Sequence, residues 1–422
     1  MAKNQIISVF FNGNEIGKVG YDENQRKSSF QYNPEFLKEN KYKNLFPYIL
    51  RRVENVQVFS EFEGETYRGL PPMIADSLPD MFGNIVFKEW LEAHHQEFSA
   101  ITPLEQLSYV GNRGMGALEF IPNKKLPLNT TIDVEQITEV VKKVIDLKTS
   151  ISEKGLSDKA LLTIFKIGTS AGGARPKILV SEHKETGKLI PGDLEFSDEF
   201  NHYLVKLSVD ENQGYSKEKI EFIYYQLATD AGIEMMPSKL IDDKHFATLR
   251  YDRRGGEKQH ILTASGMTGW DFKKPENSSY ENLFKLAVDL KLPHKDIQQL
   301  FKRMVFNLVF ANIDDHLKNF SFIYDDNQDK WNLAPAYDLT YPLDALLNFT
   351  KVSRALSING KRTDITRDDI LVIADSFTIK NANGIIDEVD EKTQSFEELA
   401  IEKGIPSRVI EKIKSEFRFF NT

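Results

Sequence analysis

The stretch NIDDHLKNFSF, residues 312–322, decides how the rest of the chain is read. It follows residues 293–312, where Ile297, Leu300, Phe301, Met304, Val305, Leu308 and Val309 recur at the spacing of a buried helical stripe. Pro293 suits the first turn of that helix. Immediately after it, Asp314, Asp315, His316, Lys318 and Asn319 crowd between apolar Val309-Phe310 and Phe320. A solvated helix end accounts for an isolated Asp-Asp pair but not for the whole string. Two short strands, residues 320–324 and 331–333, then flank a turn at 325–328, and Asp338 follows in LAPAYDL (333–339). An amide and a carboxylate so placed are the oxygen donors that Mg²⁺ takes. His316 has no second His at i+4 and no H-E-x-x-H string occurs, so zinc chemistry is not indicated.

Working outward, Asp314 and Asn319 have the D-x-x-x-x-N spacing of a protein-kinase catalytic loop, in which Asp accepts the hydroxyl proton and Asn holds Mg²⁺. Upstream lies GTSAGGARPK, residues 168–177, with three glycines before an apolar strand. Backbone N–H groups of such a stretch, here around Gly172, Gly173 and Ala174 with Lys177 beside them, approach phosphate oxygens closely. It is not a Walker A loop, and it departs from G-x-G-x-x-G. Lys206 is the one cation in the apolar strand YLVKL (203–207), where it must snorkel out or meet an anion. Glu221 on the following helix, with Glu218 as the neighbouring alternative, is placed to orient it. The strand 246–251 precedes Asp252-Arg253-Arg254, which read as a solvated turn linking two lobes. Each motif is ambiguous by itself; their order along the chain is that of a bilobal kinase.

The strings TSAGGARPK (169–177), NIDDHLKNFSF (312–322) and LAPAYDL (333–339) resemble the HipA-like serine/threonine kinases, toxins of bacterial toxin–antitoxin pairs. LPPMIADSLPDMFGN (70–84) and GNRGMGALEFIP (111–122) are similar to that family's accessory domain. The resemblance implies Asp314 as catalytic base, Asn319 and Asp338 as Mg²⁺ ligands, and Lys206 as a ligand of the ATP phosphates. It implies that His316 and Lys318 shape the catalytic loop, with Lys318 near the γ-phosphate. Leu249, Arg250 and Tyr251 would contact adenine, partly through backbone, although Leu249 replaces an acidic residue carried by some relatives. Ser170, with Thr169 adjacent, matches the loop serine that relatives autophosphorylate; a phosphate there would need cationic partners. The implied partners are a protein substrate with a Ser or Thr acceptor, in translation, and a small helix-turn-helix antitoxin of HipB type through which DNA is reached.

The whole chain fits this outline. Its 422 residues suggest two or three domains. The expected architecture is α+β: an accessory domain over 1–125, connecting helices and a mixed-sheet kinase N-lobe over 126–255, and a helical C-lobe over 256–422. In the first domain, strands are expected at 6–11, 15–20 and 27–32, a helix at 81–95 and a closing strand at 114–122. Residues 123–131 read as a boundary, and Val134, Ile137, Val140, Val141, Val144 and Ile145 as a bridging helix. Further strands are expected at 177–181 and 238–241, a helix at 217–231 capped by Gly232, and about three helices in the last 55 residues. With no cysteine, disulfides, cysteine nucleophiles and Cys-ligated metals are excluded. A net charge of −9 opposes broad binding to nucleic acid. MAKNQIISVFFNGNEIG does not read as a signal peptide and no apolar run approaches membrane length, so a cytoplasmic protein without membrane contact is expected. Two other readings stay open from sequence: a small-metabolite kinase, and a non-catalytic nucleotide-binding component of a repressor complex.

Overall fold

A computed structural model describes residues 5–79, 83–85, 87–88, 91, 97–123, 133–135, 137–139, 142, 175–192, 197–209, 214–342 and 353–420. The fold is α+β, with a sheet-based accessory unit, a second sheet with one helix, and a helical lobe. Strands β1 (Gln5–Phe11), β2 (Asn14–Asp22), β3 (Lys27–Tyr32), β4 (Gln57–Phe59) and β5 (Leu118–Ile121) form an antiparallel sheet in the order β4-β3-β2-β1-β5. Asn12 and Gly13 both have positive φ, 46° and 75°, which a two-residue turn of the primed type demands. Alternation buries Ile7, Val9 and Phe11 on one face of β1. Of the expected helix at 81–95, residues 83–85, 87, 88 and 91 are described, and all are helical. Residues 124–131 of the expected boundary, and Val140, Val141, Val144 and Ile145 of the expected bridging helix, lie outside the described residues.

The second sheet holds β6 (Lys177–His183), β7 (Leu189–Pro191), β8 (Phe200–Lys206), β9 (Ser238–Ile241) and β10 (His245–Leu249), antiparallel in the order β7-β6-β8-β10-β9. Ile178, Val180, Val205 and Ala247 form a small core with Phe87, Leu91 and Tyr109 of the accessory unit and with Val134 and Ile137. The helix Lys217–Asp230 is capped by Ser216, whose Oγ accepts from Lys219 N at 3.2 Å. It ends in a Schellman motif: Gly232 N–H donates to Thr229 O and Ile233 N–H to Ala228 O. Its fully buried Tyr224 donates to Phe310 O at 2.8 Å, tying it to the long helix His294–Val309 of the other lobe.

After the short hairpin β11 (Arg253–Arg254) and β12 (Glu257–Lys258), the lobe is helical apart from one small sheet. That sheet is β13 (Ile261–Thr263), β14 (Ser321–Asp325) and β15 (Lys330–Leu333); β13 was not foreseen in a segment read as helical. Pro293 stands at the N-cap of His294–Val309, one position before the first turn. Among the described residues the C-terminal part has four α-helices, Arg367–Ser376, Ala382–Lys392, Phe396–Glu402 and Ser407–Glu416, where about three are expected. No helix among the described residues is long and apolar enough to cross a membrane.

The accessory sheet packs against the small sheet of the helical lobe and shares one continuous core with it. Asn44 N donates to Asp329 Oδ1 at 2.9 Å, and Trp331 Nε1 donates to Asn44 O at 2.7 Å. His260 is fully buried at this seam. Its ring centroid lies 5.7 and 5.8 Å from Phe11 and Phe46, and 5.3 Å from Trp331. Burial pushes its pKa down to about 3, and burial with Arg250 and Arg253 pushes His202 down to about 4. Histidines with depressed folded pKa values stabilise the fold above about pH 6.5 and lose that contribution as pH falls, because the unfolded chain binds the protons. Between pH 6.5 and 5 each is expected to remove about 2 kcal/mol. Urea unfolding of wild type and His260→Phe across that window checks this: the variant should show the shallower pH slope, and equal slopes would refute the assignment.

Candidate active site

The long helix stops because Ala311 takes a left-handed conformation, φ 53°, which turns the chain into the 312–319 loop. Two adjacent carboxylates then part company. Asp315 faces inward and is buried; it accepts from Arg354 at 2.6 Å, from Tyr280 Oη at 2.8 Å and from Leu356 N at 3.2 Å. Asn307 extends this network, donating to Tyr280 Oη at 2.9 Å and accepting from Asn312 at 2.9 Å. The network anchors the loop from behind. Asp314 faces solvent, its side chain 64% exposed. Desolvation by its surroundings, together with the Asp338 and Asp315 carboxylates, raises its pKa against the opposing pull of His316.

The rest of the loop is tightly tied. His316 Nε2 lies 3.9 Å from Asp314 Oδ1. Asn319 closes a one-turn helix, Leu317–Asn319, and donates Nδ2–H to Asp314 O at 2.8 Å. Its amide oxygen is not the atom used in that bond. Lys318 O accepts from Tyr337 Oη at 2.7 Å, and Tyr337 stacks on Tyr251 at 5.9 Å.

Across the cleft, Lys206 at the end of β8 is buried and donates to Glu221 Oε1 at 2.5 Å and to Asp338 Oδ1. The geometry therefore selects Glu221 over Glu218 as its helix partner. Burial alone would lower Lys206, but Asp338 and Glu221 hold its pKa above the ordinary lysine value. Asp338 feels the same burial, which would raise it, yet Lys206, Lys177 and Arg175 hold it well below the usual carboxylate range. Its backbone is left-handed, φ 57°, a conformation Asp and Asn adopt more readily than other side chains. Lys177 is buried opposite Lys206 in the β6–β8 register, and Arg175 lies 3.7 Å from Glu221 Oε2.

At the hinge, Leu249 N–H is spent on Pro237 O and Arg250 N–H on His202 O, which removes both amides from any ligand contact. Asp252 and the Arg253 beside it are not a solvated turn. Asp252 is fully buried, takes two bonds from Arg250 and one from Arg253, and accepts Gly116 N–H at 2.8 Å. Arg253 in turn donates to Gly114 O and Gly116 O, so the hinge is knotted to the accessory unit. Arg354, Tyr280 and this knot were missed from sequence, since a charged side chain in isolation reads as surface.

Thr169, Ser170, Gly172, Gly173 and Ala174 lie outside the described residues. Among the described residues no three His, Asp or Glu side chains gather as a metal cluster. Asp338 and Asn319 instead offer a carboxylate and an amide oxygen, a donor set of hard oxygens suited to Mg²⁺ supplemented by phosphate and water.

The sequence profile of the HipA-like C-terminal domain matches residues 169–396, and that of the HipA N-terminal domain matches residues 7–121. A relative described as putative kinase Y4mE, from Sinorhizobium fredii, is 22% identical over 359 residues, covering 79% of this chain and 77% of its own. Putative kinase Y4dM from the same organism is 25% identical over 180 residues; the match spans 37% of this chain and less than half, 43%, of that relative. The fold also matches a chain in the Shewanella oneidensis MR-1 toxin–antitoxin complex of HipA, HipB and operator DNA. The TM-score is 0.60 at 17% identity, over 97% of this chain and 95% of that one.

Proposed function

The chain belongs to the HipA-like family, and from that premise we propose that it is an ATP- and Mg²⁺-dependent protein serine/threonine kinase acting as a growth-arresting toxin. The observation that carries the reading is Lys206 held between Glu221 and Asp338, opposite a loop that presents an exposed Asp314. In this reading Asp314 accepts the proton of the acceptor hydroxyl, Lys206 binds phosphate oxygens, and Glu221 fixes the direction of Lys206. Asn319 and Asp338 would hold Mg²⁺. Bound ATP with its metal supplies the phosphoryl group and neutralises its charge. His316 and Lys318 shape the loop, Lys177 lies at the phosphate end, the backbone N–H groups of Gly172, Gly173 and Ala174 are proposed as further phosphate ligands, and Tyr251 with the carbonyl oxygens at Leu249 and Arg250 faces adenine. Ser170 is the proposed autophosphorylation site. The partners proposed are a translation-related protein carrying the acceptor, such as an aminoacyl-tRNA synthetase, and a HipB-like antitoxin that mediates any contact with DNA, in the cytoplasm.

The test is direct. The full chain is incubated with ATP, Mg²⁺ and cell lysate, and phosphate is mapped by mass spectrometry. Phosphate is expected on Ser170 and on a Ser or Thr of a lysate protein. Lys206→Met should lower the rate by about 10²–10³-fold, the usual cost of one preorganised charge at a reacting group. Label confined to small molecules would make the chain a metabolite kinase. Nucleotide binding without any transfer would make it a non-catalytic module.

A further inference from the structure

Phe272 belongs to none of the motifs above, yet its ring meets two residues of the 312–319 loop. The ring centroid is 4.9 Å from that of His316, and Lys318 Nζ lies 5.4 Å from the same centroid. A cation over a ring face is held by the ring quadrupole, which here fixes the direction of Lys318. His316 on the other contact is the neighbour of Asp314 Oδ1.

What holds Phe272 is the accessory unit. The residue before it, Asp271, accepts from Thr66 Oγ1 at 2.6 Å, and the residue after it, Lys273, pairs with Glu65 at 2.8 Å. The helix Ala264–Thr268 just upstream is gripped as well. Asp76 accepts from Thr263 N at 2.8 Å and from Thr263 Oγ1 at 2.9 Å, and Tyr67 Oη shares a hydrogen bond of 2.9 Å with Ser265 Oγ. Gly269, at φ 75°, closes that helix against Phe62 and Pro72, where a Cβ would collide with the Phe62 ring. Residues 62–76 of the accessory unit thus clasp residues 263–273 on both sides of Phe272.

We propose that Phe272 is a positioning residue through which the accessory unit sets the geometry of the catalytic loop. The proposal rests on Asp314 being the base of the kinase reading. The clasp carries Phe272, Phe272 carries His316 and Lys318, and both follow Asp314 within the same short loop, with His316 Nε2 beside the Asp314 carboxylate. The accessory unit is in this sense part of the catalytic apparatus without touching substrate.

The test compares wild type with Phe272→Ala, Phe272→Tyr and Thr66→Val in the full chain. Phe272→Ala should lower kcat roughly 10–100-fold, the scale of a displaced reacting group, with KM for ATP unchanged. Phe272→Tyr keeps the ring and should restore kcat; Thr66→Val should act in the same direction as Ala, but less. Independently of activity, the ring signals of His316 in histidine-labelled protein, assigned with His316→Gln, should shift in Phe272→Ala because the adjacent ring current is gone. Wild-type kcat in Phe272→Ala, failure of Tyr to rescue, or unmoved His316 signals would each overturn the proposal. If wild type itself transfers no phosphate, the kinase reading fails, and the His316 signals alone still decide whether Phe272 positions the loop.

Discussion

Asp314→Asn is expected to lower phosphoryl transfer by about 10²–10⁴-fold while leaving nucleotide affinity close to wild type. The amide is nearly isosteric and cannot take the hydroxyl proton. The loop should keep its shape, because the Asn319 bond goes to the backbone oxygen of residue 314 and the anchoring network uses Asp315. A pH profile adds a second readout. The raised pKa of Asp314 makes it a better base than an ordinary carboxylate and moves the acid limb of the rate upward in pH, since the base must be ionised to act. In Asp314→Asn that limb should disappear. Single-turnover rates with a phosphorylated-peptide readout measure both. A variant that keeps more than a tenth of the wild-type rate would remove Asp314 from the role of base.

Asp252→Ala is expected to destabilise the protein by about 3–5 kcal/mol, the largest stability effect foreseen for one side chain here. The carboxylate is fully buried between two guanidinium groups whose side chains are each 1% exposed. Burial and the repulsion of Arg250 already push Arg253 down to about 9, even with Asp252 in place. Removing the anion leaves two buried cations facing each other and frees Gly116 N–H. Asp252 itself, despite a burial that would raise its pKa, is held well below the carboxylate range by both arginines. A carboxylate with a depressed folded pKa stabilises the fold above about pH 4 and loses that contribution on further acidification. Urea denaturation at pH 7 measures the loss, and a change below about 1 kcal/mol would refute the account.

The elements readable from the sequence are those whose signal is local. The Asn12-Gly13 turn between alternating strands marks the first hairpin, and the apolar stripe at 297–309 marks the long helix. Lys206, Asp314, Asn319 and Asp338 stand out in the sequence because each is a polar residue in a short local string, and the fold joins Lys206 to Asp338 and Asn319 to the backbone of Asp314. What was not legible depends on segments far apart in the chain. β13 is three residues long and becomes a strand only because Ile261 pairs with Ile323. Asp252 reads as a solvated turn until Gly116 is brought beside it. Asp314 and Asp315 have the same chemistry and adjacent positions, and only the inward network of Arg354 and Tyr280 separates their tasks. Phe272 carries no motif, since its meaning lies in residues 62–76 and 316–318 at once.

The seam between the accessory sheet and the small sheet of the helical lobe has a consequence for how the protein is made. Asn44 and Asp329 are partners 285 positions apart. At about 5–20 residues per second, roughly 15–60 s of synthesis separates the appearance of one from the other. Until residue 260 is made, Phe11 and Phe46 lack the His260 ring, and until residue 324 is made, Phe11 lacks Tyr324, rings that pack on them in the finished molecule. The nascent chain therefore carries an uncovered aromatic face outside the ribosome until its C-terminal third emerges. Available chaperones should raise soluble yield, and a gene cut before residue 260 should give a product that aggregates.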